Sequence, residues 1–377
     1  MSEDYRQLWG KVTCTTDKAE SVQTLAKILA DEGGRGFISH LTQEDGELCV
    51  EILDHGLSRC NLSRSEKQAF FAASWTLAET YRRLPDSIII KEKLEVSNEI
   101  HASGPSSDIR TSTYNGTRVA VKTLRVSCRD DLNKIRKTFF RHVILWNSLA
   151  HPNVLELVGA QWDMNEAQFT TVSKWMACGN IMQYIKNNSV NRLELLYGAA
   201  QGLKYLHDAG IAHGDLKGTN VFITNDSPQR ACLAESRFMS SQFLAPSNSD
   251  REDSVATPES DIYSFGMVIF QVLTGKVPFR DVQVTQLGYL VLNGMRPRKP
   301  ENASAIGFSD SLWDFVHLRW DGDSQRRPMV AEVVARLGEA STSWHTFMPG
   351  TATLEPGEGS ESESMNYCEP RSCPLSP

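Results

Sequence analysis

Four residues in two short stretches could act on one phosphate-bearing substrate. Val119-Ala120-Val121-Lys122 ends a β-branched run in a lysine, the way a strand delivers an ammonium to the α- and β-phosphates of a nucleotide. Further along, His213-Gly214-Asp215-Leu216-Lys217-Gly218-Thr219-Asn220 carries a carboxylate, an ammonium and an amide in close succession. A carboxylate that orients a hydroxyl and an amide oxygen that holds Mg²⁺ are parts of a phosphoryl-transfer site, where positioning and charge neutralisation do most of the work. Taken alone, Lys122 could equally be a solvated strand lysine, and the 213–220 loop could persist for its backbone shape.

The elements that must position these groups change character along the chain. Residues 1–90 read as helical: Asp17 caps a helix from Lys18 to Glu32, with Val22, Leu25, Ile28 and Leu29 on one face and Gly33-Gly34 as its stop. A second helix, Glu44 to His55, stripes Leu48, Val50, Ile52 and Leu53. A third begins at Ser63, with Glu66 at capping-box spacing, carries Phe70, Phe71, Trp75, Leu77 and Tyr81, and ends before Pro85. These helices are either a small bundle packed on the rest of the chain or an interaction module. From Ile88 the pattern turns β-branched: Ile88-Ile89-Ile90, Val119-Ala120-Val121 and Thr170-Thr171-Val172, with Asn115-Gly116 as a hairpin signal. One helical block lies between Asp130 and Asn147, and after Gly179 the chain is mostly helical. Residues 341–377, rich in Pro, Gly, Ser and Glu, read as a disordered tail.

Composition narrows the classes. With 40% apolar and 23% charged residues, the 377-residue chain can bury a large core. A net charge of −7 argues against nucleic acid as partner. The eight scattered cysteines form no Cys-x-x-Cys pair, which fits a reducing compartment better than zinc or a disulfide framework. No apolar stretch reaches membrane-spanning length, so a cytoplasmic protein without a membrane span is expected.

Five motifs then fall in order: the strand lysine, His151-Pro152-Asn153-Val154, the 213–220 loop, Ser260-Asp261-Ile262-Tyr263-Ser264-Phe265-Gly266, and Arg326-Arg327-Pro328. In this order and spacing the chain resembles the protein kinase family over roughly residues 92–340, and the 213–220 loop and the segment Leu273 to Phe279 are most similar to fungal members of the tyrosine-kinase-like branch. The resemblance implies an α+β, two-lobed fold: a helical region at 1–90, a kinase-like domain at 91–340 (small lobe 91–173, large lobe 178–340) and the tail. It implies Asp215 as the catalytic aspartate, with Lys217 beside it of the serine/threonine type, and Asn220 as metal ligand. Glu235 would be an imperfect second ligand. Lys122, Gly104, Ile109, Ala120, Met176 and Phe222 would bind nucleotide, with Ser173 as gatekeeper.

The same comparison exposes departures. The helix glutamate that should hold Lys122 is replaced by His142, and no Asp or Glu occurs between Leu132 and Asn153. A neutral imidazole can accept one hydrogen bond but supplies no countercharge. The metal-binding Asp-Phe-Gly is replaced by Glu235-Ser236-Arg237. The glycine-rich loop keeps only Gly104 of three glycines, followed by Pro105, which has no N–H to offer. Ser247 stands where a glutamate should pair with Arg327. The expectation is a pseudokinase: a binding, scaffold or regulatory module in intracellular signalling with unidentified protein partners. Its binding of ATP and Mg²⁺ would be weak or absent. The alternative is a weak or atypical ATP-dependent serine/threonine kinase.

Overall fold

The computed structural model describes residues 5–104, 106–234, 239–240, 256–280 and 282–347. Five helices come first: α1 (Tyr5–Cys14), α2 (Lys18–Leu29), α3 (Glu32–Ile38), α4 (Gln43–Arg59) and α5 (Arg64–Tyr81). Asp17 caps α2 through the amide of Ala19. Ser63 and Glu66 close a reciprocal capping box on α5, and those hydrogen bonds hold the Glu66 carboxyl below its ordinary range. The Gly33-Gly34 stop is corrected. α2 already ends at Leu29, and both glycines lie in the first turn of α3, capped by Asp31. The reason is steric: a Cβ on Gly34 would overlap the carbonyl oxygen of Ile28, so glycine serves close packing there rather than helix termination. Leu48, read as part of the buried stripe, is 40% exposed, while Cys49 takes the inward place.

The sheet comes next: β1 (Ala102–Ser103), β2 (Ser107–Tyr114), β3 (Thr117–Leu124), α6 (Leu132–Asn147), β4 (Leu157–Asp163) and β5 (Gln168–Lys174). Its antiparallel order is β1-β2-β3-β5-β4. Asn115 and Gly116 both adopt positive φ, the two-residue turn that matches strand twist. Ile88-Ile89-Ile90 does not form a strand of its own. It makes one parallel bridge, Ile89 to Ala160, with Ile90 donating to the Ala160 carbonyl and Ala160 donating to that of Ile88.

The helical half comprises α7 (Ile181–Asn187), α8 (Arg192–Asp208), the short strands β6 (Ile211–Ala212), β7 (Val221–Ile223), β8 (Ala231–Leu233) and β9 (Met239–Ser240), then α9 (Pro258–Thr274), α10 (Val284–Leu292), α11 (Asp310–Leu318) and α12 (Val330–Phe347). Ala256-Thr257-Pro258-Glu259 opens α9, with Thr257 as cap. α12 runs seven residues into the stretch read as tail, and Asn191 donates to the Ser341 carbonyl there; residues 348–377 lie outside the described residues. A single buried apolar cluster runs from Trp9 in α1 to Leu337 in α12, taking in Phe70, Phe140, Leu196 and Phe265. Each such side chain is worth about 1.5–3 kcal/mol on burial.

Candidate active site

The loop between β6 and β7 is built from backbone outward. His213 is fully buried and Asp261, from α9, is 1% exposed. The Asp261 carboxylate accepts from the amides of His213 (2.7 Å) and Gly214 (2.9 Å) and bonds His207 Nε2 at 2.9 Å. Gly214 sits at φ +80°, a conformation that glycine adopts without the strain a Cβ would bring. With the loop so pinned, Asn220 Nδ2 donates to the Asp215 carbonyl (2.8 Å) and to its Oδ2 (3.0 Å), and Lys217 Nζ reaches the same oxygen at 2.9 Å. Asp215, Lys217 and Asn220 are therefore brought together as the sequence implied.

His151-Pro152-Asn153 works as a structural clasp. Asn153 Nδ2 donates to the Ala231 carbonyl, Leu233 donates to the Asn153 carbonyl, and a Cβ on Gly202 of α8 would meet that carbonyl at 2.4 Å. β8 is thus fastened beneath the cleft. Burial pushes the Cys232 thiol on β8 up to about 12, which makes it a packing residue, not a nucleophile. Arg327 donates to the backbone carbonyls of Asp321 and Glu259 and lies 5.1 Å from the Tyr263 ring.

The upper wall is assembled by register. Ile109 on β2 is the cross-strand neighbour of Lys122 on β3, and Ala120 is that of Ser173 on β5. Lys122 is half-buried. Below, Phe222 on β7 is half-buried and bridges Asn180, and Met176 lies in the linker after β5. The linker is fixed by Asn225, which accepts from the Ala177 amide and donates to the Trp175 carbonyl. Trp175 packs between the His101 ring (5.0 Å) and the Arg118 guanidinium (4.9 Å). Sequence reasoning misses Asn225, His101, Arg118 and His207. Each acts across a long sequence separation, and no local pattern marks it.

The two phosphate-handling parts differ from the loop. The Gly104 amide donates to the Ser107 carbonyl at 2.9 Å, closing the β1–β2 hairpin on itself. Ser103 donates to Asp108, and Arg125 reaches both side chains. An amide spent within the turn is not presented to an anion. His142 sits half-buried on α6, its ring 5.8 Å from Trp146.

α6 itself is gripped on two sides. Phe139 and Phe140 meet Phe169 and Trp162 of the sheet edge-on, at 5.4 and 5.0 Å. On the other side Glu79 of α5 pairs with Lys137 (2.9 Å) and Arg141 (3.0 Å), and Asp54 of α4 accepts from Asn147. Glu235, Ser236, Arg237, Pro105 and Ser247 lie outside the described residues. Among the described residues, Asn220 is the one implied metal ligand present. That is not a complete octahedral site.

Residues 100–337 match the family described as protein tyrosine and serine/threonine kinase. This chain belongs to the protein kinase family. Among its relatives, the serine/threonine-protein kinase STY46 of Arabidopsis thaliana is 26% identical over 254 residues, covering 63% of this chain and 43% of that protein. The dual specificity protein kinase zak2 of Dictyostelium discoideum is 25% identical over 306 residues, covering 70% and 47%. The serine/threonine/tyrosine-protein kinase HT1 of Arabidopsis thaliana is 25% identical over 256 residues, covering 63% and 64%. The matched part is thus less than half of the first and second of these. In kinase terms, β1–β5 with α6 form the small lobe and α7–α12 the large lobe. No helix among the described residues is long and apolar enough to cross a membrane.

Proposed function

We propose that this kinase-family chain acts as a pseudokinase, a binding and regulatory module for partner proteins in intracellular signalling. The observation that carries the reading is on α6. The position that should offer a carboxylate to Lys122 holds His142, on a helix with no acidic residue. α6 therefore offers that lysine no countercharge of its own. The self-closed Gly104 hairpin supports the same reading, since its amide is already engaged. Nucleotide and Mg²⁺ binding are accordingly weak or absent, the partners are proteins, and the site of action is cytoplasmic.

A second reading is favoured by one observation, the assembled Asp215–Lys217–Asn220 group. It is a slow serine/threonine kinase in which Asp215 orients a substrate hydroxyl. A melting experiment with millimolar ATP, with and without Mg²⁺, separates the two, because a ligand that binds the native state raises Tm by mass action. The pseudokinase reading expects little or no shift and no transfer of labelled phosphate. Transfer that disappears in Asp215→Ala would establish the enzyme instead.

A further inference from the structure

α10 is the apolar helix that the fold leaves least covered. Its sequence is Val-Thr-Gln-Leu-Gly-Tyr-Leu-Val-Leu, yet Tyr289 is 72% and Leu292 88% exposed, and Val277 just before it is 60% exposed. Beside it runs a groove of about 600 Å³ lined by Leu216, Met267, Val277, Phe279, Leu287 and Val291. One wall is thus the catalytic loop itself. An exposed apolar patch of this kind marks an interaction surface.

The surroundings of the groove are basic. From Leu273 to Pro300 the chain carries Lys276, Arg280, Arg296, Arg298 and Lys299 against one acid, Asp281, although the whole chain has net charge −7. Lys299 is paired with Asp310, and Arg296 donates to the carbonyls of Val291, Met295 and Trp320. Lys276 and Arg298 are exposed. Lys217, on the loop wall, reaches Asp215. An occupant must therefore combine apolar anchors with negative charge.

Such a segment lies in the same chain. We propose that residues 354–369 dock in this groove. They hold Glu355, Glu358, Glu361, Glu363 and Glu369 with no basic residue, and offer Leu354, Met365 and Tyr367 as anchors. The tether has considerable reach. α12 ends at Phe347, and the eighteen residue steps from there to Met365 span up to about 60 Å when extended. Docked there, the segment lies against Leu216 and Lys217 and keeps other proteins away from Asp215. The inference does not depend on whether the cleft transfers phosphate.

The test is zero-length carbodiimide coupling in the full chain, read by mass spectrometry on the monomer band. Amide links from Lys276 or Lys217 to Glu358, Glu361 or Glu363 are expected, with a yield that falls as salt rises past about 0.1 M, where charges are screened beyond about 10 Å. Two surface variants must each remove the links: Met365→Ala with Tyr367→Ala, and Leu287→Glu with Val291→Asp. The first variant should also speed amide exchange in α10. Unchanged melting checks that both are folded. Absence of links, or links that survive both variants, would overturn the proposal. Links confined to a dimer band would overturn it in favour of a second copy as occupant.

Discussion

The 213–220 loop and α6 are held in different ways. The loop is pinned through its backbone: Asp261 takes the amides of residues 213 and 214 from a site almost without solvent. α6 is held through side chains, by aromatic contacts to the sheet and ion pairs to α5. The buried bonds to Asp261 hold the backbone of the loop that carries Asp215 and Asn220, whether or not those two act. By resemblance, the charge expected opposite Lys122 serves phosphate handling, and His142 stands in its place on α6. An intact loop is therefore evidence about scaffold, and α6 is the better witness for chemistry.

Several substitutions would break or sharpen this contrast. The largest effect is expected from Asp261→Ala, which strands buried donors and should cost about 3–5 kcal/mol, read from the denaturation midpoint. A loss below about 1 kcal/mol would mean the loop is not pinned from α9. His142→Glu comes next. A restored countercharge should tighten ATP binding by up to about tenfold, or about 1.4 kcal/mol, seen as a larger Mg²⁺-dependent Tm shift. No gain would move the decisive lesion to the Gly104 hairpin or to Glu235. Glu79→Ala, which cuts both ion pairs between α5 and α6, should cost about 0.2–1 kcal/mol because the partners are solvent-accessible. The smallest effect is at Glu66. Its carboxyl is held below the ordinary range by Ser63, so its contribution is present above that range and is lost as pH falls through the lowered value. Glu66→Gln should flatten that part of the acid limb of a stability-against-pH curve.

Much of this is legible in the residues. Capping chemistry at Asp17 and Ser63, the Asn115-Gly116 turn and the ordered motifs act locally, and local chemistry is written in short stretches. The roles of Asp261 as buttress and of Asp215 with Asn220 come from the family resemblance; the structure shows Asp261 accepting the amides of residues 213 and 214, and Asn220 donating to Asp215. What stays hidden is information carried by neighbours in space. Gly34 resembles a helix stop until Ile28 is seen against it. Ile88-Ile89-Ile90 has strand composition, but only Ile89 bridges β4. The grip of Glu79 on Lys137 and Arg141 spans about sixty residues of sequence, and nothing in either helix alone announces it.

The larger of two buried apolar clusters, which runs from Trp9 to Leu337, has a mechanical corollary. A protein that grasps α2 or α4 pulls on α5, and α5 is fastened to the helix that carries His142. Linkage runs in both directions with equal free energy. What a ligand in the cleft and a partner on the bundle contribute to each other's binding is one free energy, read equally from either end.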